Sequence, residues 1–284
     1  MNELIRKIRQ AAGMSQEQFA SALGTRPLSI TRWENGKNKP TGMAQKHLVS
    51  FCREHQIPLA EMVIERMRYE KGDDRLILYH GSKAGLTGSI APVSRAECDF
   101  GRGFYMGTNP IQPLTLICAE TSPVFYTVEL DLTGLKVLSV DLDMDWAMLI
   151  AYHRKEMEAA KGTALYEKYA SFAAGYDVIT GYIANDRMYT ELASFFNGTL
   201  TDTALIHCLS ALELGKQYVA VTEKACRQIR ILDEKKLSML ELSALMELSV
   251  ARRKEGVALA KEIEVKYRRE GRFFDEILRG DGNA

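Results

Sequence analysis

Leu78-Tyr79-His80-Gly81-Ser82 and, further on, Cys98-Asp99-Phe100-Gly101-Arg102-Gly103-Phe104-Tyr105-Met106-Gly107-Thr108 are the two pieces of sequence on which the fold of this chain turns. Leu76, Ile77, Leu78 and Tyr79 form a short apolar run closed by Gly81 and Ser82, which places His80 at the end of a buried strand. Gly101 and Gly103 bracket Arg102, where backbone without Cβ atoms lets a ligand come close, and a second short strand follows from Phe104 to Met106. A His at one strand end and a Tyr on another line one cleft. Taken singly, a strand-end His is most often a hydrogen-bonded structural residue, and a lone Gly-x-Gly is a turn.

Working outward, the 284 residues suffice for a small domain and a medium one. The formal net charge is zero, so no global field draws the chain to nucleic acid or membrane. Residues 1–70 are locally basic, with eleven Lys and Arg against seven Glu. The five cysteines are scattered and form no CxxC pair, which suits reduced thiols in a cytoplasmic protein and no metal site. No apolar run is long enough for a membrane span, and the N-terminus lacks a signal-peptide pattern.

Residues 1–56 carry helical periodicity. Leu4, Ile5 and Ile8 share one face, and Ser15 with Gln18 makes a capping box for a second helix bearing Phe19, Ala20 and Leu23. Ile30 and Trp33 point inward from a third helix, and Leu48, Val49 and Cys52 do so from a fourth. The segment around SQEQFA and RWENGKNKP resembles the Cro/CI-type (XRE) helix-turn-helix, in which the second of the paired helices enters the major groove of duplex DNA. That resemblance puts Gln16 on a phosphate and Arg26, Pro27, Leu28, Ser29, Thr31 and Arg32 on the reading face. Arg32 is the base reader, since its guanidinium matches guanine O6 and N7. Lys37 and Lys39 neutralise backbone phosphates. A helical protein-interaction module is the competing reading of the same helices. Residues 57–74 read as a helix end and a linker, with Lys71-Gly72-Asp73-Asp74 as the boundary.

From Arg75 strands and helices interleave irregularly, without a Rossmann rhythm or a phosphate-binding glycine loop. Val124, Tyr126, Val128 and Leu130 alternate with Phe125, Thr127 and Glu129, the pattern of a half-buried strand. The two opening stretches resemble the ADP-ribosyltransferase superfamily in its His-Tyr-Glu branch. More closely, the region from about Leu76 to Leu232 resembles an uncharacterised bacterial domain family grouped with those transferases. The expected fold is therefore α+β: an all-α helix-turn-helix domain (1–70), an ADP-ribosyltransferase-like split two-sheet domain (75–232) and a helical C-terminal extension (233–284).

The resemblance implies NAD as substrate. Gly81 would hold the nicotinamide carboxamide, His80 a ribose hydroxyl on either nucleoside, and Tyr105 the nicotinamide ring, with Ser82, Gly101, Gly103 and Phe104 around them. The family Glu falls at Gln217 and its second pocket Tyr at Leu116, and the change at 217 removes the charge that would stabilise a ribosyl cation. Asn185, Asp186 and Arg187 either border the cleft or cap the following helix. Leu237, Leu240, Leu245 and Leu248, with Ile263, Tyr267, Phe273 and Phe274 later, form either a surface helix pair or a lid that also binds a protein partner such as an antitoxin. Two functions remain open at this point. One is a toxin-like or defence ADP-ribosyltransferase that represses its own operon as a homodimer on DNA. The other is a transcription regulator whose degenerate domain senses NAD or ADP-ribose compounds.

Overall fold

A computed structural model describes residues 1–69, 75–184, 188–211 and 215–280. The chain opens with helices α1 (Asn2–Ala11), α2 (Gln16–Ala22), α3 (Pro27–Glu34) and α4 (Gly42–Glu54). Their starts follow local chemistry: the Ser15–Gln18 capping box is formed at α2, and the Thr41 side chain accepts from the Ala44 amide at α4. The stretch after residue 57 is not the end of α4. Gln56 turns the chain at φ 53°, Pro58 follows, and a separate helix α5 (Leu59–Met67) begins.

The second part runs β1 (Leu76–Ser82), β2 (Phe104–Gly107), α6 (Ile111–Ile117), β3 (Val124–Leu130), β4 (Val137–Ser139), α7 (Met144–His153), a 3-10 turn (Glu158–Ala160), α8 (Ala164–Ser171), β5 (Val178–Tyr182), α9 (Met188–Phe196), α10 (Asp202–Leu209), β6 (Lys216–Ala220), α11 (Glu223–Cys226) and β7 (Ile229–Lys236). Helices α12 (Met239–Tyr267) and α13 (Phe274–Gly280) follow. The seven strands lie in the order β4-β5-β6-β2-β1-β3-β7, antiparallel except for β4 beside β5. β1 and β2 meet only at Tyr79↔Gly107, whereas β1 follows β3 from Leu76↔Leu130 to Ser82↔Val124. The sheet is thus two half-sheets, β4-β5-β6-β2 and β1-β3-β7, hinged at one register pair.

Apolar cores cover both faces, so β3 is buried throughout except at Glu129 rather than half-exposed. Phe125 and Tyr79 pack into the core shared with the N-terminal helices, while Val124, Tyr126, Val128 and Leu130 lie in a second core with Leu78, Phe104 and Met106. A third core joins α7, α9 and α10 to β5 and β6 through residues such as Trp146, Leu192, Leu205, Ile179 and Val219.

The C-terminal segment is neither a surface pair nor a lid over the cleft. Leu240, Ala244 and Leu245 at the start of α12 are buried in the core of the N-terminal helices, and Ala260 near its far end is buried where Cys208 of α10 donates to its carbonyl. Arg66 of α5 is ion-paired with the buried Glu241, and Phe274 of α13 sits edge-on to Phe195 and Phe196. The helix is a strut joining the N-terminal helices to the far half-sheet. β7 also continues to Lys236, past residue 232 where the second expected domain ends. A buried attachment of this kind removes apolar surface at both ends, which gives far more stability than a solvated helix obtains from its own hydrogen bonds.

Candidate functional site: a cleft at the hinge of the sheet

Where β1 and β2 diverge, one cavity of about 260 Å³ is lined by His80, Gly81, Tyr105, Leu116 and Gln217 together with Asp99, Arg154 and Arg95. An adjoining cavity of about 520 Å³ shares His80, Gly81 and Tyr105 and takes in Ser82, Gly103 and Phe104. Volumes of this order suit a small organic ligand. Residues from β1, β2, α6 and β6 are brought together, along with the loop before β2 and the residue after α7.

His80 spans the hinge. Its Nδ1 donates to the Tyr105 carbonyl at 2.7 Å, a carbonyl that a continued β1–β2 ladder would give to a main-chain amide. The carbonyl can only accept, so the proton is on Nδ1 and Nε2 is the ring's acceptor. Burial lowers the His80 pKa, and the bond to Tyr105 opposes this only in part, so the neutral ring is the resting form. Phe104 stacks on it at 4.2 Å.

Tyr105 is held as firmly. Its hydroxyl donates to the Gly101 carbonyl at 2.7 Å and accepts from the Phe100 amide at 3.0 Å. Burial first, then the nearby Asp99 charge, pushes its pKa up. The phenol is therefore committed to the turn, and the ring face is what the cleft can use.

The glycines serve packing more than ligand approach, which corrects the expectation for Gly101 and Gly103. A Cβ on Gly103 would sit 2.3 Å from Val219 Cγ1 of β6, and one on Gly101 would sit 2.8 Å from the His153 ring. Gly81 is likewise pressed on α6, where a Cβ would lie 2.6 Å from the Pro113 carbonyl oxygen. Leu116 is 63% exposed at the cleft edge.

Gln217 is 5% exposed, and its Nε2 donates to Asp99 Oδ2 at 2.9 Å and to the Tyr182 carbonyl at 3.4 Å. Asp99, 6% exposed, also accepts from Arg154 Nε at 3.1 Å and Nη2 at 2.6 Å. Arg154 Nη1 in turn donates to the Tyr189 hydroxyl at 2.8 Å. Sequence reasoning missed Asp99 and Arg154. Asp99 stands inside the opening stretch, directly before the Phe-Gly-Arg-Gly turn, but nothing local marks Arg154 as its partner. Asn185, Asp186 and Arg187, named as cleft or cap residues, lie outside the described residues.

In the N-terminal unit Arg26, Pro27, Leu28 and Arg32 are exposed on α3, with Ser29 and Thr31 half-buried beside them. Lys37 and Lys39 are exposed in the following turn. Gln16 is not left open toward a phosphate: its Nε2 donates to Glu34 at 2.8 Å, and its Oε1 accepts from the Thr31 hydroxyl at 2.8 Å. Glu34 is 2% exposed and ion-paired with Arg9 at 2.6 Å, so this network fixes α2 against α3.

Residues 5–43 match the helix-turn-helix family, so α2 and α3 form a DNA-binding unit of that class. Residues 76–231, more than half of the chain, match the family described as a protein of unknown function (DUF3990), and the protein belongs to that family. No curated protein and no solved structure matches the chain. Among the described residues, no helix is long and apolar enough to cross a membrane.

Proposed function

We propose that this is a DNA-binding regulator whose hinge cleft resembles that of an ADP-ribosyltransferase and takes NAD or an ADP-ribose compound. The observation that supports the reading is that His80, Tyr105 and Gln217, from three strands distant in sequence, line one cavity. In this reading His80 Nε2 accepts from a ribose hydroxyl, the Tyr105 ring stacks on nicotinamide, and Gly81 main-chain groups hold the carboxamide. Breaking the bond from ribose to nicotinamide sends the electron pair out with nicotinamide and leaves positive charge on the ribose. An unbalanced carboxylate would stabilise that charge. Here Gln217 is neutral and Asp99 is balanced by Arg154, so the cleft is better built to hold the dinucleotide than to cleave it.

Helix α6 supplies the link to DNA. Its Gln112, Pro113 and Leu116 line the cleft, while its Leu114 and Ile117 lie in the core of the N-terminal helices. A ligand that moves α6 shifts that core, and reciprocal linkage then ties DNA affinity to ligand binding. The partners proposed are NAD and duplex DNA, the latter bound by a homodimer on two half-sites.

The test is calorimetry of NAD on the intact protein, repeated with His80→Ala and Tyr105→Ala, beside operator binding with and without NAD. Loss of NAD binding in both variants with folding retained is expected. Undiminished binding in both would refute the cleft assignment. A second reading, transfer or hydrolysis by the same cleft, is favoured by the Asp99 carboxylate lying against Gln217. Nicotinamide release in the presence of candidate acceptors decides for it.

A further inference from the structure

The geometry points to Asp99 as a positioning residue that makes Gln217 present a hydrogen-bond acceptor, and not a donor, to the cleft ligand. This deepens the proposed NAD-binding reading and rests on it. A glutamine amide offers two donor hydrogens on one side and two lone pairs on the other, so by itself it would accept either kind of ligand group. Here two acceptors surround the nitrogen: Asp99 Oδ2 at 2.9 Å and the Tyr182 carbonyl at 3.4 Å. Turning the amide over would press its oxygen on both of them, with no donor between, inside a site where Gln217 and Asp99 are 5% and 6% exposed. Unpaired acceptors in such surroundings are costly, so one orientation is selected. The nitrogen is consumed and Oε1 is left for the cleft.

Asp99 is itself fixed. Arg154 grips Oδ1 with Nε and Nη2, and its third donor group is anchored on the Tyr189 hydroxyl. With Nδ1 of His80 committed to Tyr105, the ring's Nε2 is an acceptor too. The cleft thus offers two acceptors from opposite halves of the sheet. The ligand class they select is a donor of paired O–H groups, such as the vicinal hydroxyls of a ribose. Among the residues lining this cavity, Asp99 is the one acid, and it acts on the ligand through Gln217.

The experiment measures NAD affinity of the full chain by calorimetry for the wild type, Asp99→Asn, Gln217→Met and the exchange Asp99→Asn/Gln217→Glu. Asp99→Asn lets the amide at 217 turn over and is expected to weaken NAD about tenfold, near the value of one hydrogen bond. The exchange restores a carboxylate–amide pair with the acceptor on the cleft side and is expected to regain most of the affinity, which a purely structural role for Asp99 would not produce. If Asp99→Asn fails to fold, Gln217→Met carries the test, because it leaves the Asp99–Arg154 pair intact and removes the acceptor. Wild-type protein that binds NAD with unchanged affinity in Asp99→Asn, or in Gln217→Met, overturns the inference and leaves the NAD reading standing. A loss in Asp99→Asn that the exchange does not recover overturns it as well. Wild-type protein that binds no NAD overturns the reading and the inference with it.

Discussion

Glu34→Gln tests whether the reading helix is held by a buried charge. The Glu34 carboxylate accepts from Arg9 at 2.6 and 3.1 Å and from Gln16 at 2.8 Å, with its side chain nearly free of water. Burial alone would raise its pKa, and the bonds from Arg9 and Gln16 more than reverse that, so the carboxyl titrates below its usual range. The substitution keeps shape and removes the charge, leaving Arg9 without its counter-ion. Breaking a buried pair costs roughly 3–5 kcal/mol. The Arg9 side chain is 17% exposed, so water screens part of this and the low end, about 3 kcal/mol, applies. At ~2–4 °C per kcal/mol the melting temperature should drop by about 6–12 °C. Because Gln16 and Thr31 hang on the same carboxylate, DNA affinity should fall too, by anisotropy with a labelled operator. In the wild type the stabilisation from this depressed pKa is present above the unfolded carboxyl value, about 4.3, and is lost as pH falls through the folded one. A variant within about 0.5 kcal/mol of wild type by urea titration, the scatter of ordinary surface changes, would refute the argument.

Arg32→Ala should weaken specific DNA binding by about 1–3 kcal/mol and relax preference at one base, whereas Lys37→Ala should weaken all sequences alike and reduce the salt slope by about 1; a selection that enriches no sequence would instead mark α3 as a protein-interaction helix. Burial lowers the His153 pKa to about 4, partly opposed by the Asp99 charge, so the unfolded chain binds a proton the folded one refuses. Stability should therefore decline as pH drops from about 6.5 toward about 4, and His153→Gln should flatten that decline in melting curves. Gly103→Ala places a methyl 2.3 Å from Val219 Cγ1, and destabilisation of about 1–3 kcal/mol is expected by chemical denaturation. A neutral result there would return Gly103 to a ligand-approach role.

Much of the fold was legible residue by residue. The Ser15–Gln18 capping box, the β3 span from Val124 to Leu130 and the α9 span from Met188 to Phe196 appear as read, because caps and apolar runs are local signals. The cleft partners His80, Tyr105 and Gln217 were also named from short stretches, and the structure brings them to one cavity. What only tertiary structure decided is how those stretches are used. Gly101 and Gly103 look like a ligand loop in sequence, yet their missing Cβ atoms make room for His153 and Val219, neighbours far along the chain. The burial of β3 on both faces, the strut made by α12, and the link from Asp99 to Arg154 and Gln217 depend on contacts between distant segments. Periodicity reports which face of one element is apolar. It carries no information on which partner covers that face, or which charge balances a buried carboxylate, because burial and pairing are properties of the assembled core.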